Sequence, residues 1–297
     1  MSDTDEPPGP RNKRGLPSPY QQDLSGVLRN LRRFTPLGRR LQANSRETAA
    51  LLAAGMRLLD RHFGPGTQQR VNSGFLLLGP LSLRKVAEEF NRNPPPFIRH
   101  GNGEALLRGR WTPHSNFIID LLNFALWREN YRPEYRKQRK ANIERLVRGP
   151  DFAGAVHEVA HRHAAEGVDL PQVRLSLALM AAAEGDDEVR RIISAVYVDY
   201  LGSWKQLYAT VMRARHLRLR EGLTLDDLAD VLSAANDGMT LRAIGDPGAG
   251  VVDHDNDRSL MGSVALAVIY AFLEPDEDAS GLTLEQAVAA RFDRRLY

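Results

Sequence analysis

From residue 131 to about residue 273 the apolar residues of this 297-residue chain recur at intervals of three and four. No stretch there alternates apolar and polar residues for long enough to make a strand. Helices are predicted over 133–148, 151–166, 171–184, 187–219, 224–244 and 258–273. Amphipathic helices bury their stripes against one another, so the expected fold class is all-α. The longest helix carries Ile192, Ile193, Val196, Tyr197, Trp204, Leu207, Tyr208 and Val211, and would span roughly 45 to 50 Å at about 1.5 Å per residue. Thr224 with Asp227, and Thr283 with Gln286, have the spacing of a capping box. The tetrapeptide Gly-Leu-Thr-Leu at 222 and again at 281 reflects that cap, not a duplication.

The front of the chain is punctuated differently. Residues 1–19 are rich in proline and carry a basic cluster at Arg11, Lys13 and Arg14, the composition of a flexible arm. From Tyr20 to Phe34, Leu24, Val27, Leu28, Leu31 and Phe34 recur at helical spacing with Arg29, Arg32 and Arg33 off the stripe, which predicts a short basic amphipathic helix. Arg39 and Arg40 extend the charge. Ser45 is placed to cap a helix ending at Phe63 before Gly64-Pro65-Gly66. Thr67 to Pro80 reads as a hairpin or an irregular excursion. Ser82 then opens a helix through Val86, Ala87 and Phe90 that stops before Asn93-Pro94-Pro95-Pro96, since proline supplies no amide donor. A further helix starts near Gly103, and another at Ser115 with Phe117, Ile118, Leu121, Leu122 and Ala125 on one face.

Charge divides the chain. The net charge of +3 conceals 25 Lys and Arg against 13 Asp and Glu in residues 1–145, and 15 against 24 in residues 146–297. A +12 half joined to a −9 half is the pattern expected when one half meets a polyanion. There is no cysteine, no apolar run approaches the roughly 20 residues that span a bilayer, and the opening MSDTDEPPGP lacks the features of a secretory signal. The expected location is cytoplasmic.

The order and spacing of the front helices resemble the tetracycline-repressor (TetR) family of bacterial regulators. The resemblance is carried by Leu51 to Phe63, by Ser82-Leu83-Arg84-Lys85-Val86-Ala87, by Glu104-Ala105-Leu106-Leu107-Arg108-Gly109-Arg110-Trp111, and by Thr112-Pro113-His114-Ser115 leading into Phe117 to Leu126. In the back half it is carried by Leu223 to Arg242 and Asp246-Pro247. The sequence departs from the family pattern in the Pro-rich insert 91–103, in the long excursion at 64–80, and at Asn116, where members often carry lysine.

The resemblance implies a flexible basic arm with a short helix over 1–44, a helix-turn-helix DNA-binding domain over 45–130, and a helical effector-binding and dimerisation domain over 131–297. It implies a dimeric repressor of operator DNA, released by a small-molecule effector. Arg108 and Arg110 become candidates for base or phosphate contact, Ser82, Arg84 and Lys85 for phosphate, and Trp111, His114 and Ser115 for a second phosphate ledge. Core packing is the competing reading for Trp111. Met180, Tyr197, Trp204 and Tyr208 are the implied effector contacts, and the helices Thr224 to Ile244 and Ser259 to Leu273 the dimer interface, with small Gly262, Ala265 and Ala267 allowing close approach of helices.

One motif points to another class. His157-Glu158-Val159-Ala160-His161 satisfies H-E-x-x-H, which on a helix sets two imidazoles on one face for zinc and a glutamate as general base. The third histidine of the extended form is missing, and Glu184 is the distant acid that would complete a site. The alternatives to a regulator are therefore a zinc-dependent hydrolase, or a helical regulator that has lost DNA binding. No phosphate loop, nucleophile constellation or dinucleotide fingerprint occurs, so neither an enzyme nor a bound cofactor is expected.

Overall fold

The computed structural model describes residues 16–32, 35–65, 78–98, 101–127, 133–253, 255–277 and 279–292. Arg11, Lys13 and Arg14 and most of the excursion at 67–80 lie outside them. The protein is all-α, divided into two compact units: residues 1–132 with 171–197, and residues 133–170 with 198–297.

Unit one contains α1 (Pro36–Ala43), α2 (Arg46–Phe63), α3 (Leu83–Arg92), α4 (Gly103–Arg110), α5 (Ser115–Leu126), α8 (Pro171–Ala181) and the first residues of α9 (Asp187–Ala214). Helix α2 is its centre. Ser45 Oγ accepts from Thr48 N at 3.2 Å and so caps the helix, while Leu51, Leu52, Leu58 and Leu59 are buried against α3, α5 and α8. Gly55 admits Leu121 of α5, whose Cδ1 would stand 2.8 Å from any added Cβ. Glu89, buried on α3, accepts from Arg57 and Arg61 of α2 at 2.7 and 3.1 Å and from Asn93 at 3.0 Å. Burial alone would raise its pKa, but these hydrogen bonds outweigh it and hold the carboxyl below the usual range.

Unit one takes the chain up to 132 and also 171–197, a stretch that the sequence groups with the domain over 131–297. Leu175, Leu179, Val189, Ile192 and Val196 complete the core of unit one, and Gln172 Nε2 donates to the Ala125 carbonyl at 3.2 Å. The helix predicted over Tyr20–Phe34 is absent from its described part, residues 20–32, and its last two residues lie outside the described residues. Residues 17–32 form turns instead, although Leu24, Leu28 and Leu31 are buried as their spacing suggests. The backbone amides there find side chains: Leu24 N donates to Asn44 Oδ1, and Arg29 N and Asn30 N to Asp120 Oδ1. Satisfied in this way, the segment has no need of a helical ladder. The first helix starts later, where Thr35 Oγ1 accepts from Gly38 N and Pro36 occupies the first turn.

Unit two contains α6 (Pro133–Arg148), α7 (Phe152–Asp169), the remainder of α9, α10 (Leu225–Gly245), α11 (Leu260–Phe272) and α12 (Leu284–Phe292). Both predicted capping boxes form. Thr224 Oγ1 accepts from Asp227 N at 3.1 Å while Asp227 Oδ2 accepts from Thr224 N at 2.7 Å, and Thr283 and Gln286 exchange the corresponding pair at 3.3 and 3.0 Å. The long helix ends at Ala214, earlier than predicted. His216 adopts φ 53°, and the chain returns as β1 (Leu217–Leu219), antiparallel to β4 (Leu273–Pro275). A second short pair joins β2 (Val252–Asp253) to β3 (Arg258–Ser259). Strands of two or three residues are too short for an alternating pattern to register in sequence.

In unit two α7 packs extensively on α11. A Cβ at Gly262 would stand 2.3 Å from His157 Nδ1 and 3.1 Å from His157 Cα, so only glycine admits this approach. Gly262 and Ala265, expected to serve a contact between subunits, are both buried within unit two, whereas Ala267 is exposed.

Candidate nucleic-acid interface and ligand cavity

Helix α3 turns Val86, Ala87 and Phe90 inward and leaves Arg84, Lys85, Glu88 and Arg92 exposed. Helix α4 buries Leu107 and exposes Glu104, Ala105, Arg108 and Gly109. The Pro-rich insert between them does not separate them. Gly103, at the start of α4, lies against α3 so closely that a Cβ would stand 3.0 Å from the Ala87 carbonyl oxygen, and Gly103 N donates to Asn91 Oδ1 at 3.1 Å. Asn102 Oδ1 accepts from Ala105 N and caps the helix. Two adjoining helices thus each expose basic side chains, with Glu88 and Glu104 among them.

The eight residues singled out from sequence divide here. Arg84, Lys85 and Arg108 are exposed; Arg84 pairs with Glu88 at 2.7 Å and Arg108 with Glu104 at 2.9 Å, both along their own helices. Solvent-exposed pairs of this kind are weakly held, so a phosphate or a base edge could displace them. Of the other five, Arg110, Trp111, His114 and Ser115 are held by partners within unit one. Trp111 is a core residue at 1% exposure, its ring edge-on to Phe117 and its Nε1 donating to Asp120 Oδ2 at 2.8 Å. His114 stacks on Phe117 and donates from Nε2 to the Leu81 carbonyl at 2.8 Å; burial lowers its pKa, which favours the neutral ring. Ser115 is buried and bound by the Arg191 guanidinium.

Arg110 turns back onto α2, reaching Thr48 Oγ1 at 3.1 Å and Glu47 at 3.4 Å. Ser82 opens α3 without a side-chain cap, and Ser82 N donates to the Gly79 carbonyl. The bulky or partner-seeking members of the set have been drawn into packing, leaving three cations outside. Sequence reasoning placed Arg32, Arg39 and Arg40 in the basic arm but not beside α4. There, Arg32 N donates to the Arg110 carbonyl at 2.7 Å and Gln42 Nε2 to the Gly109 carbonyl at 3.4 Å, so this basic segment borders the C-terminal end of α4.

A cavity of about 900 Å³, counting its mouth, lies within unit two between α7, α9, α10 and α11. Trp204 and Tyr208 line it as expected. Met180 and Tyr197 do not, because the chain assigns both to unit one. Sequence reasoning missed His163, Tyr200, Ser233 and Asn236. The first two extend an aromatic wall: His163 Nε2 lies 2.7 Å from Tyr200 Oη, His163 is edge-on to Trp204, and Trp204 stacks on Tyr208. The spacing of Tyr200, Trp204 and Tyr208 at intervals of four was the available signal, since such residues share one helix face. Burial pushes the Tyr208 phenol well above its ordinary pKa.

The H-E-x-x-H segment lies on α7, with its glutamate engaged in ion pairs. Glu158 is bound by Arg145 and Arg162, His157 packs on Gly262, and His161 Nε2 stands 3.6 Å from Asp257 Oδ1. Glu184 belongs to unit one. Among the described residues no three acidic, histidine or cysteine side chains group to hold a metal, and no helix is long and apolar enough to cross a membrane.

No family profile, curated protein or solved structure matches this chain.

Proposed function

We propose that this protein is a DNA-binding transcriptional regulator, in which α3 and α4 act as a helix-turn-helix and unit two binds an effector and a second copy of the chain. The reading rests on the adjoining outer faces of α3 and α4, where Arg84, Lys85, Arg92 and Arg108 are exposed while the inner faces are fixed to α2. Cations on two neighbouring helices suit phosphate neutralisation by one and groove readout by the other. The charge partition agrees: unit one has 23 Lys and Arg against 15 Asp and Glu, unit two 17 against 22. The reading takes its helix order from the resemblance to the TetR family, with a longer connection between the two helices.

Assembly as a dimer is supported by two exposed stripes. On α10 Val231, Ala234, Gly238 and Leu241 are exposed, and on α11 Leu260, Ser263, Ala267 and Tyr270, each set repeating at three and four. Leu241, Leu260 and Tyr270 keep 57%, 53% and 72% of their surface open, more apolar exposure than paired neighbouring helices ordinarily leave. A two-fold axis through this pair would form a four-helix seam.

The reading is tested by measuring affinity for a random-sequence duplex as salt is raised. Neutralising several phosphates releases counterions, so affinity should fall by roughly a hundredfold or more between 50 and 200 mM salt. Affinity independent of salt, or no binding at the lower concentration, would overturn it.

A further inference from the structure

The lining of the unit-two cavity has an unusual chemical balance. It contains no Lys, Arg, Asp or Glu, and its walls are aliphatic and aromatic. Two of its lining residues nevertheless hold buried polar atoms without partners. Asn236 is 7% exposed on α10, and its Oδ1 is buried with no hydrogen bond; Ser233 Oγ, three residues earlier on the same helix, is likewise buried and unpaired. Both residues line the cavity, and their spacing places them on one helix face. A mid-helix serine usually returns its hydroxyl to the carbonyl four residues back, and Ser233 does not. Buried polar groups in folded proteins are nearly always satisfied, so two adjoining exceptions in a cavity wall mark where a ligand's polar group belongs.

We infer that the cavity takes a neutral, largely apolar ring compound carrying a single hydroxyl-type group, which donates to Asn236 Oδ1 and accepts from the Ser233 hydroxyl. The aromatic wall of Tyr200, Trp204 and Tyr208 supplies stacking area. A charged ligand is disfavoured because the lining holds no Lys, Arg, Asp or Glu and its one imidazole, His163, is bonded to Tyr200, so an ion would lose its hydration without compensation. A plain hydrocarbon would leave both polar atoms unsatisfied. The inference deepens the effector part of the proposed function. It rests on that reading for what the ligand does to the protein, but not for whether the ligand binds.

The test uses the full chain and three matched probes, 2-naphthol, naphthalene and 2-naphthoate, with binding measured by equilibrium dialysis. The intact protein should bind 2-naphthol roughly tenfold more tightly than naphthalene, the value of one or two satisfied hydrogen bonds. It should bind 2-naphthoate roughly a hundredfold more weakly than 2-naphthol. Asn236→Leu should bring the naphthol-to-naphthalene ratio close to one without weakening naphthalene. The smaller change Ser233→Ala should lower the ratio by roughly two- to fivefold and provides the test if the leucine variant does not fold. Failure of 2-naphthol to bind, equal binding of 2-naphthoate, or a ratio unchanged in the folded variants would overturn the inference. Duplex binding measured on the same preparations separates the two readings. Probe discrimination without DNA binding defeats only the regulator reading; DNA binding without discrimination defeats only this one.

Discussion

Trp111 Nε1 donates to Asp120 Oδ2 across 2.8 Å inside the core of unit one, and that carboxylate also accepts from the backbone amides of Arg29 and Asn30 and from Asn30 Nδ2. A single buried acid thus ties the end of α4, helix α5 and the N-terminal segment together. Burial nevertheless dominates, pushing the Asp120 pKa up to about 6 against the lowering effect of its four donors.

Replacing Trp111 by Phe removes one donor and leaves the others in place. Stability to urea should fall by about 1–3 kcal/mol. The pH dependence has a definite sign. The folded pKa of Asp120 lies above its unfolded value of 3.8, so the stability tied to this group is full below about pH 3.8 and is lost as pH rises through about 6. Asn has no charge to bury. The stability of the natural protein relative to Asp120→Asn should therefore decline, by on the order of 3 kcal/mol, as pH is raised from 3.5 to 7. A difference that grows in favour of the natural protein over that range would contradict the account.

The basic residues should separate by what they touch. Arg108→Ala should alter sequence preference on DNA, and Lys85→Ala should weaken all sequences alike, both with unfolding transitions close to that of the natural protein. Arg110→Ala should act differently, since Arg110 is only 13% exposed and braced on Thr48 and Glu47. Its loss should appear as about 1–2 kcal/mol of stability, read in a urea titration. An unaltered transition for Arg110→Ala together with lost DNA affinity would return that residue to the interface.

The helix spacing, the caps and most helix starts were legible because they depend on neighbours in sequence. Ser45, Thr224 and Thr283 cap through bonds to residues three positions on, and the stripes of α2 and α5 bury the residues their periodicity selects. What was not legible depends on distant partners. The segment 17–32 has a helical stripe but gives its amides to Asn44 and Asp120, 20 and about 90 residues away in sequence. Residues 171–197 have the same periodicity as their neighbours, and nothing local says which core they join. In the cavity the aromatic face of α9 could be read, while Ser233 and Asn236 looked like ordinary helix polar residues until the space beside them was seen. On α4, residue type alone could not separate a cation that projects, such as Arg108, from one that folds back, such as Arg110.

The exposed stripes of α10 and α11 predict a dimer in solution. Ala267 is the informative position because it is exposed and small, whereas neighbouring Val268 packs against the core of unit two and would report on folding as well. Ala267→Arg should shift sedimentation from dimer to monomer at micromolar concentration by placing an unpaired charge in the seam, with the helical circular dichroism retained. A monomeric natural protein, or an unperturbed dimer in the variant, would place the interface elsewhere.

The central claim, recognition of DNA by α3 and α4 of a symmetric dimer, is tested most directly by selecting bound duplexes from a random pool and sequencing them. The account predicts enrichment of an inverted repeat with half-sites about one helical turn apart, roughly 10 base pairs centre to centre or a multiple of that, and loss of the enriched motif with Arg108→Ala. A pool that shows no enrichment over many rounds, or an enriched motif indifferent to Arg108, would contradict it.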